Sequence, residues 1–260
     1  MKKKILALVL CVAMLAIAIA GGTLAYFTDE DAQMNVMTTG KVDIEQLEQQ
    51  RDASGTLVDF VQNKPLMPMV DTRADKNAEP VVNGYFDPAM KNVVDKIITV
   101  KNKAATGAIN QDAYVRTIVA FETNTEYEEG TADVRRDGKK IFKDYIGTLR
   151  HDDFVWLERD TIKINNVEYV LGAVVYEAPL APQAVTEPAL VQFFMSPEAD
   201  NEVETLFGSD YTIIALSQAT QTAGFDSADQ ALNAAFGILD GEGKVDDAKL
   251  IEWLSAAQNG

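Results

Sequence analysis

Apolar residues recur along this chain in two rhythms, one continuous and one alternating. The continuous run is Ile5 to Ala20, which carries no charge; Lys2, Lys3 and Lys4 precede it, and Gly21-Gly22 break a helix before Thr23-Leu24-Ala25. This is the order of the basic, apolar and cleavage regions of a secretory signal. The competing reading is a membrane anchor, because the run is a little shorter than the ~20 apolar residues of a spanning helix and Leu24 to Phe27 would extend it. The Gly-Gly break and the small side chain of Ala25 favour cleavage between Ala25 and Tyr26. Cys11 follows Leu10 in mid-run, not the small residue a lipoprotein site requires, and reads as an apolar position of the signal.

The alternating rhythm begins at Lys41 to Glu48, where Val42, Ile44 and Leu47 give the first strand. Gln49 to Pro80, with Pro65, Pro68 and Pro80 among many charges, reads as an irregular loop or an extended edge. A short helical turn is expected at 88–94, then a β-branched strand over 96–101 and a turn over 102–111. Ala113 to Glu122 is the strongest strand: Val115, Thr117, Val119 and Phe121 share one face, Tyr114, Arg116, Ile118 and Ala120 the other. Two apolar faces place it centrally in a two-sheet core. The charged stretch 123–150 reads as a surface connection with a short helix over 140–149. Strands follow at 161–164 and 167–176 around Asn165-Asn166, a pair that tolerates the positive φ of a tight hairpin. Two more are expected at 190–195 and 211–216, separated by a helix that Ser196-Pro197 opens.

Helical spacing returns at 227–236 and 246–257, where Leu250, Ile251, Trp253 and Leu254 cluster. The whole predicts a mainly β protein: an antiparallel jelly-roll-like β-sandwich with short helices in the connections and at the C-terminus. The organisation expected is a signal at 1–25, the sandwich at 26–225 and a helical segment at 226–260.

Charge narrows the partners. The chain carries a formal charge of −17, and loss of the three signal lysines takes it to −20. That argues against nucleic acid and anionic lipid and fits a soluble extracellular protein; loosely held calcium is compatible with it, and no cofactor is expected. Removing the signal also removes Cys11, the one cysteine, so the remaining domain folds without a disulfide.

The segment Gly21-Gly22-Thr23-Leu24-Ala25-Tyr26-Phe27-Thr28-Asp29, with Asn35-Val36-Met37-Thr38-Thr39-Gly40-Lys41-Val42-Asp43-Ile44, resembles the start of the TasA and camelysin family of Gram-positive secreted proteins. That family carries a signal processed by the dedicated peptidase SipW, which implies cleavage between Ala25 and Tyr26. Asp95 to Asn102, Ala113 to Thr117, Gln218 to Phe225 and Ala231 to Gly237 continue a weaker likeness. Met37 stands where the family often has a larger aromatic or branched residue, and 49–80 and 123–150 match nothing in it. The resemblance implies a jelly roll, a place in the biofilm matrix or on the cell surface, and fibres in which the N-terminal segment of one subunit enters the sheet of the next. Tyr26, Phe27, Met34 and Val36 are the residues such a donor strand would insert. The alternative for that segment, Tyr26 to Asn35, is that it folds back on its own subunit or stays mobile. The expected function is therefore a secreted structural, fibre-forming protein whose partners are itself or another fibre protein, with the signal peptidase acting during export. The alternative is an extracellular binding module for a wall, glycan or host component.

An enzyme is not expected. His151 is the single histidine, in Arg150-His151-Asp152-Asp153, and reads as a solvated residue beside acids; a zinc hydrolase needs more imidazoles at fixed spacing. No Gly-x-Ser-x-Gly elbow exists, and paired carboxylates among forty acids single out no pair. Asp240-Gly241-Glu242-Gly243-Lys244 is similar to a calcium loop, but a lysine replaces a ligand and no glutamate closes it, so it reads as a polar turn. No catalytic or metal residue is assigned.

Overall fold

The computed structural model describes residues 28–31, 42–103, 112–123, 146–197, 199 and 211–259. In chain order the strands are β1 (Thr28–Asp31), β2 (Ile44–Arg51), β3 (Leu57–Asp59), β4 (Val70–Asp71), β5 (Val81–Val82), β6 (Tyr85–Phe86), β7 (Met90–Lys91), β8 (Val93–Asn102), β9 (Ala113–Thr123), β10 (Ile146–Arg150), β11 (Val155–Trp156), β12 (Ile162–Ile164), β13 (Val167–Leu180), β14 (Leu190–Met195) and β15 (Ile213–Gln221). Two helices close the chain, α1 (Ala228–Phe236) and α2 (Asp247–Asn259).

Two antiparallel sheets face each other. One runs β1-β15-β9-β13-β11, with β12 also on β13; the other runs β10-β14-β8-β2-β3. Between them Ile44, Ile98, Val100 and Leu190 of the second sheet pack on Val115, Val119, Phe121, Val170 and Val174 of the first. β9 is buried along its whole length. Its odd-numbered apolar residues enter that central core, and Tyr114, Ile118 and Ala120 enter a second core beneath Leu232, Phe236, Leu250 and Leu254 of the helices. The two-faced apolar pattern of 113–122 is thus used on both sides: one face meets a sheet and the other meets helices. α1 starts where Ser227 accepts the Gln230 N–H and stops at Gly237, whose φ of 85° ends the helix.

The second sheet carries the insertion between β3 and β8 on its outer face. Asp95 accepts the Arg51 Nε–H at 2.7 Å, an Arg51 Nη2–H at 2.8 Å and a Gln192 Nε2–H at 2.8 Å. Gln192 Oε1 in turn accepts the Phe86 N–H at 2.7 Å, Arg51 lies 3.7 Å over the Tyr85 ring, and Phe86 meets Phe194 edge to face. Burial opposes ionisation of Asp95, but the bonds from Arg51 and Gln192 outweigh it and hold the carboxyl below its ordinary range.

Several expectations shift. The strand expected over 41–48 is β2 and spans 44–51, and 49–80 contains its end, the edge strand β3 and β4, whose partner β7 lies beyond Pro80. No helical turn forms at 88–94: Asn92, at φ 62°, instead joins β7 to β8. Residues 146–149, expected at the end of a helix, belong to β10 because they pair with Gln192 to Met195 of β14. The Asn165-Asn166 hairpin forms as read, with φ of 50° and 68°. The turn over 104–111, the connection over 124–145 and nearly all of the helix after Pro197 lie outside the described residues.

Candidate association edges and an isolated arginine

β1 is the outermost strand of its sheet. It lies antiparallel on β15, Thr28 opposite Thr220 and Asp31 opposite Ser217, so this part of the N-terminal segment pairs within its own subunit. Ala25, Tyr26, Phe27, Met34 and Val36 lie outside the described residues. The strand that receives β1 is anchored from inside. Ser217 Oγ donates to Gln46 Oε1 at 2.8 Å, Gln46 Nε2 donates to the Ala215 carbonyl at 3.2 Å, and Thr117 and Ser217 share a hydroxyl bond at 3.1 Å. These buried groups tie β2 of one sheet to β15 and β9 of the other, so the edge on which β1 rests is rigid without β1.

A second edge is β3. The turn before it is closed by Asp52, whose Oδ1 accepts the Ser54 N–H at 2.8 Å and the Thr56 N–H at 3.0 Å. Thr56 O accepts from Asp52 N, and Phe60 N donates to Glu48 O, so the even-numbered residues of this arm face β2. Leu57 and Asp59 therefore turn their backbone groups outward, where no strand among the described residues pairs with them. Of nine large apolar side chains that stand exposed among the described residues, five follow here: Leu57, Val58, Val61, Met67 and Val70. From Ser54 to Val70 the sequence holds one negative charge, Asp59, and one positive, Lys64.

On the opposite edge of the same sheet Arg150 closes the gap between β10 and β11. Its guanidinium lies 5.3 Å from both the Phe154 and the Trp156 rings and donates to Thr148 Oγ1 at 2.6 Å. No carboxylate of the described residues forms an ion pair with it. Burial pulls its pKa below the ordinary arginine value. In so acidic a chain, a partly buried guanidinium with no carboxylate partner among the described residues is unusual. The next residue, His151, is not solvated as expected. It is 13% exposed, stacks edge to face on Tyr176, accepts the Asp153 N–H through Nδ1 at 3.1 Å and sets Nε2 3.4 Å from Glu187. Tyr176 donates to the Glu187 carbonyl, and burial pushes its pKa up to about 12. The imidazole is a packing element of this turn.

The calcium-like loop is a turn whose first acid is occupied by backbone: Asp240 Oδ2 accepts the Glu158 N–H, and its Oδ1 accepts the Gly241 N–H at 2.9 Å. Among the described residues no group of three or more His, Cys, Asp or Glu side chains is placed to hold a metal ion, and no helix is long and apolar enough to cross a membrane. Sequence reading left 49–80 as an irregular loop or an extended edge, and β3 is such an edge, but it did not pick out Leu57 to Asp59 because three residues are too short a run for alternation to mark. It missed Arg150 because isolation from carboxylates is a property of three-dimensional surroundings. Searches of family models, curated proteins and solved structures gave no match to this chain.

Proposed function

We propose that this chain is a secreted structural protein of the TasA and camelysin type, cleaved between Ala25 and Tyr26, whose work is assembly into surface or matrix fibres by N-terminal strand exchange. The observation that carries the reading is the place of β1. It is an edge strand bonded to β15 alone, so replacing it with the same strand from a neighbouring subunit conserves every bond of the ladder while joining two molecules. The chain's repeated passage from one sheet to the other, from β8 to β9, β9 to β10, β13 to β14 and β14 to β15, supports a jelly roll. Sedimentation and negative-stain microscopy of the chain beginning at Tyr26, set beside one beginning at Thr39, test the idea. Filaments are expected only from the longer form; compact monomers from both sink strand exchange.

Arg150 favours a second reading, an extracellular module that binds an acidic wall or glycan component, because a guanidinium beside an indole suits a sugar carboxylate. Titration with a uronate oligosaccharide would then change the emission of Trp156, and Arg150→Gln would abolish the change. An unchanged spectrum in the unaltered chain discards this reading.

A further inference from the structure

The β3 edge combines three features: among the described residues no strand pairs with its outer backbone groups, its side chains are apolar, and its charge is balanced. Each bears on what covers it. Natural edges are usually blunted by charge, and here the exposed Leu57, Val58 and Val61 do the reverse. A strongly negative molecule is repelled by its own copies over most of its surface, and the stretch from Ser54 to Val70, with one charge of each sign, adds nothing to that repulsion. A cationic partner would gain more elsewhere on so acidic a chain. The occupant with most to gain from this neutral edge is a second copy.

We propose that two copies pair antiparallel through β3 about a two-fold axis at Val58. Outward backbone groups at Leu57 and Asp59 set the register: Leu57 of one copy bonds Asp59 of the other, and Val58 faces Val58. This register keeps the two Asp59 carboxylates from lying directly opposite each other, where like charges destabilise. The five-stranded sheet then continues across the axis, and Val61 extends the contact beyond the paired strands. The Asp52 turn holds the arm in place beforehand, so little order is lost on pairing. The inference rests on the self-association reading above but names a separate surface, on a different sheet from β1.

Facing residues at a non-hydrogen-bonded antiparallel pair have Cα atoms about 4.5 Å apart, within disulfide range. The test is Val58→Cys in a Cys11→Ser background, with Val155→Cys on the edge strand β11 as a control that is more exposed, 58% against 37%, and so favours random cross-linking. Under mild oxidation Val58→Cys should become a covalent dimer at least tenfold faster than Val155→Cys, and sedimentation of the unaltered chain should show a concentration-dependent dimer that Val58→Lys shifts to monomer. Equal cross-linking rates, or a monomer throughout, overturn the proposal. The same cross-link in a chain beginning at Thr39 separates the two surfaces. A retained cross-link with lost filaments supports both readings. Filaments of the chain beginning at Tyr26 without the cross-link leave strand exchange standing and end this proposal.

Discussion

Replacing Gly172 with valine should cost about 3 kcal/mol, and its replacement with alanine roughly 1–3 kcal/mol, although a bare hydrogen in the middle of a strand looks like the safest place to add carbon. Gly172 lies on β13 opposite Val119 and beside Trp156, and a Cβ there would stand 2.2 Å from Phe154 Cε1 and 2.3 Å from Cζ. The ring has little freedom to retreat. It meets Phe121 edge to face at 6.4 Å and Trp156 at 5.3 Å, and the Arg150 guanidinium covers it. The added methyl must push either an aromatic cluster or the strand, and close-packed interiors resist both. For a chain of this size about 1 kcal/mol corresponds to roughly 2–4 °C in Tm, so thermal melting reads the effect. Phe154→Leu in the same chain should recover part of the loss, giving a coupling of about 1 kcal/mol or more in a double-mutant cycle. A melting temperature for Gly172→Ala equal to that of the unaltered chain would mean that Phe154 does not rest on this strand.

That contact was out of reach of sequence reading, which saw a glycine inside a strand pattern and nothing of the ring above it. What was legible had a local cause. Ala113 to Glu122 announced a central strand because both of its faces are apolar, and the structure buries both. Asn165-Asn166 announced a hairpin because two successive positive φ values narrow the choice of residue, and Ser227 announced a helix through its side-chain oxygen. Errors arose where local and long-range demands conflict. Ile141, Phe142, Tyr145, Ile146 and Leu149 fall at helical spacing, yet from Ile146 onward the gain from pairing with β14 decides the conformation. The candidate surfaces divide in the same way. The N-terminal segment was expected to enter a neighbouring sheet, fold back or stay mobile, from a resemblance carried by the chain itself; the β3 edge and the surroundings of Arg150 depend on what packs around them.

Arg159→Met should destabilise the protein by roughly 2–4 kcal/mol, chiefly through the two carbonyls it leaves without a donor, because the paired Asp247 is 56% exposed and stays solvated. Arg159 lies in the connection between β11 and β12, and its side chain is 2% exposed. Its Nη1–H donates to the Leu239 carbonyl at 2.8 Å, its Nη2–H donates to the Val245 carbonyl at 2.8 Å, and it pairs with Asp247 at the start of α2. The guanidinium thus clamps both ends of the turn that resembles a calcium loop, and with Glu158 N–H on Asp240 it fastens the helices to the rim of the sheet. Methionine preserves the apolar stem and leaves those carbonyls without their donor, which costs about 1–3 kcal/mol for each buried group. Arg159→Lys should recover little, because one ammonium cannot reproduce a fork aimed at two carbonyls and a carboxylate. The two variants should melt at similar, lowered temperatures, with the far-ultraviolet helical signal lost first as α2 detaches. Calcium provides the decisive comparison. If Arg159 is the clamp, millimolar calcium leaves the melting of both the unaltered chain and Arg159→Met unchanged; a rise in either would show that the loop binds the cation and that the arginine is not what holds it.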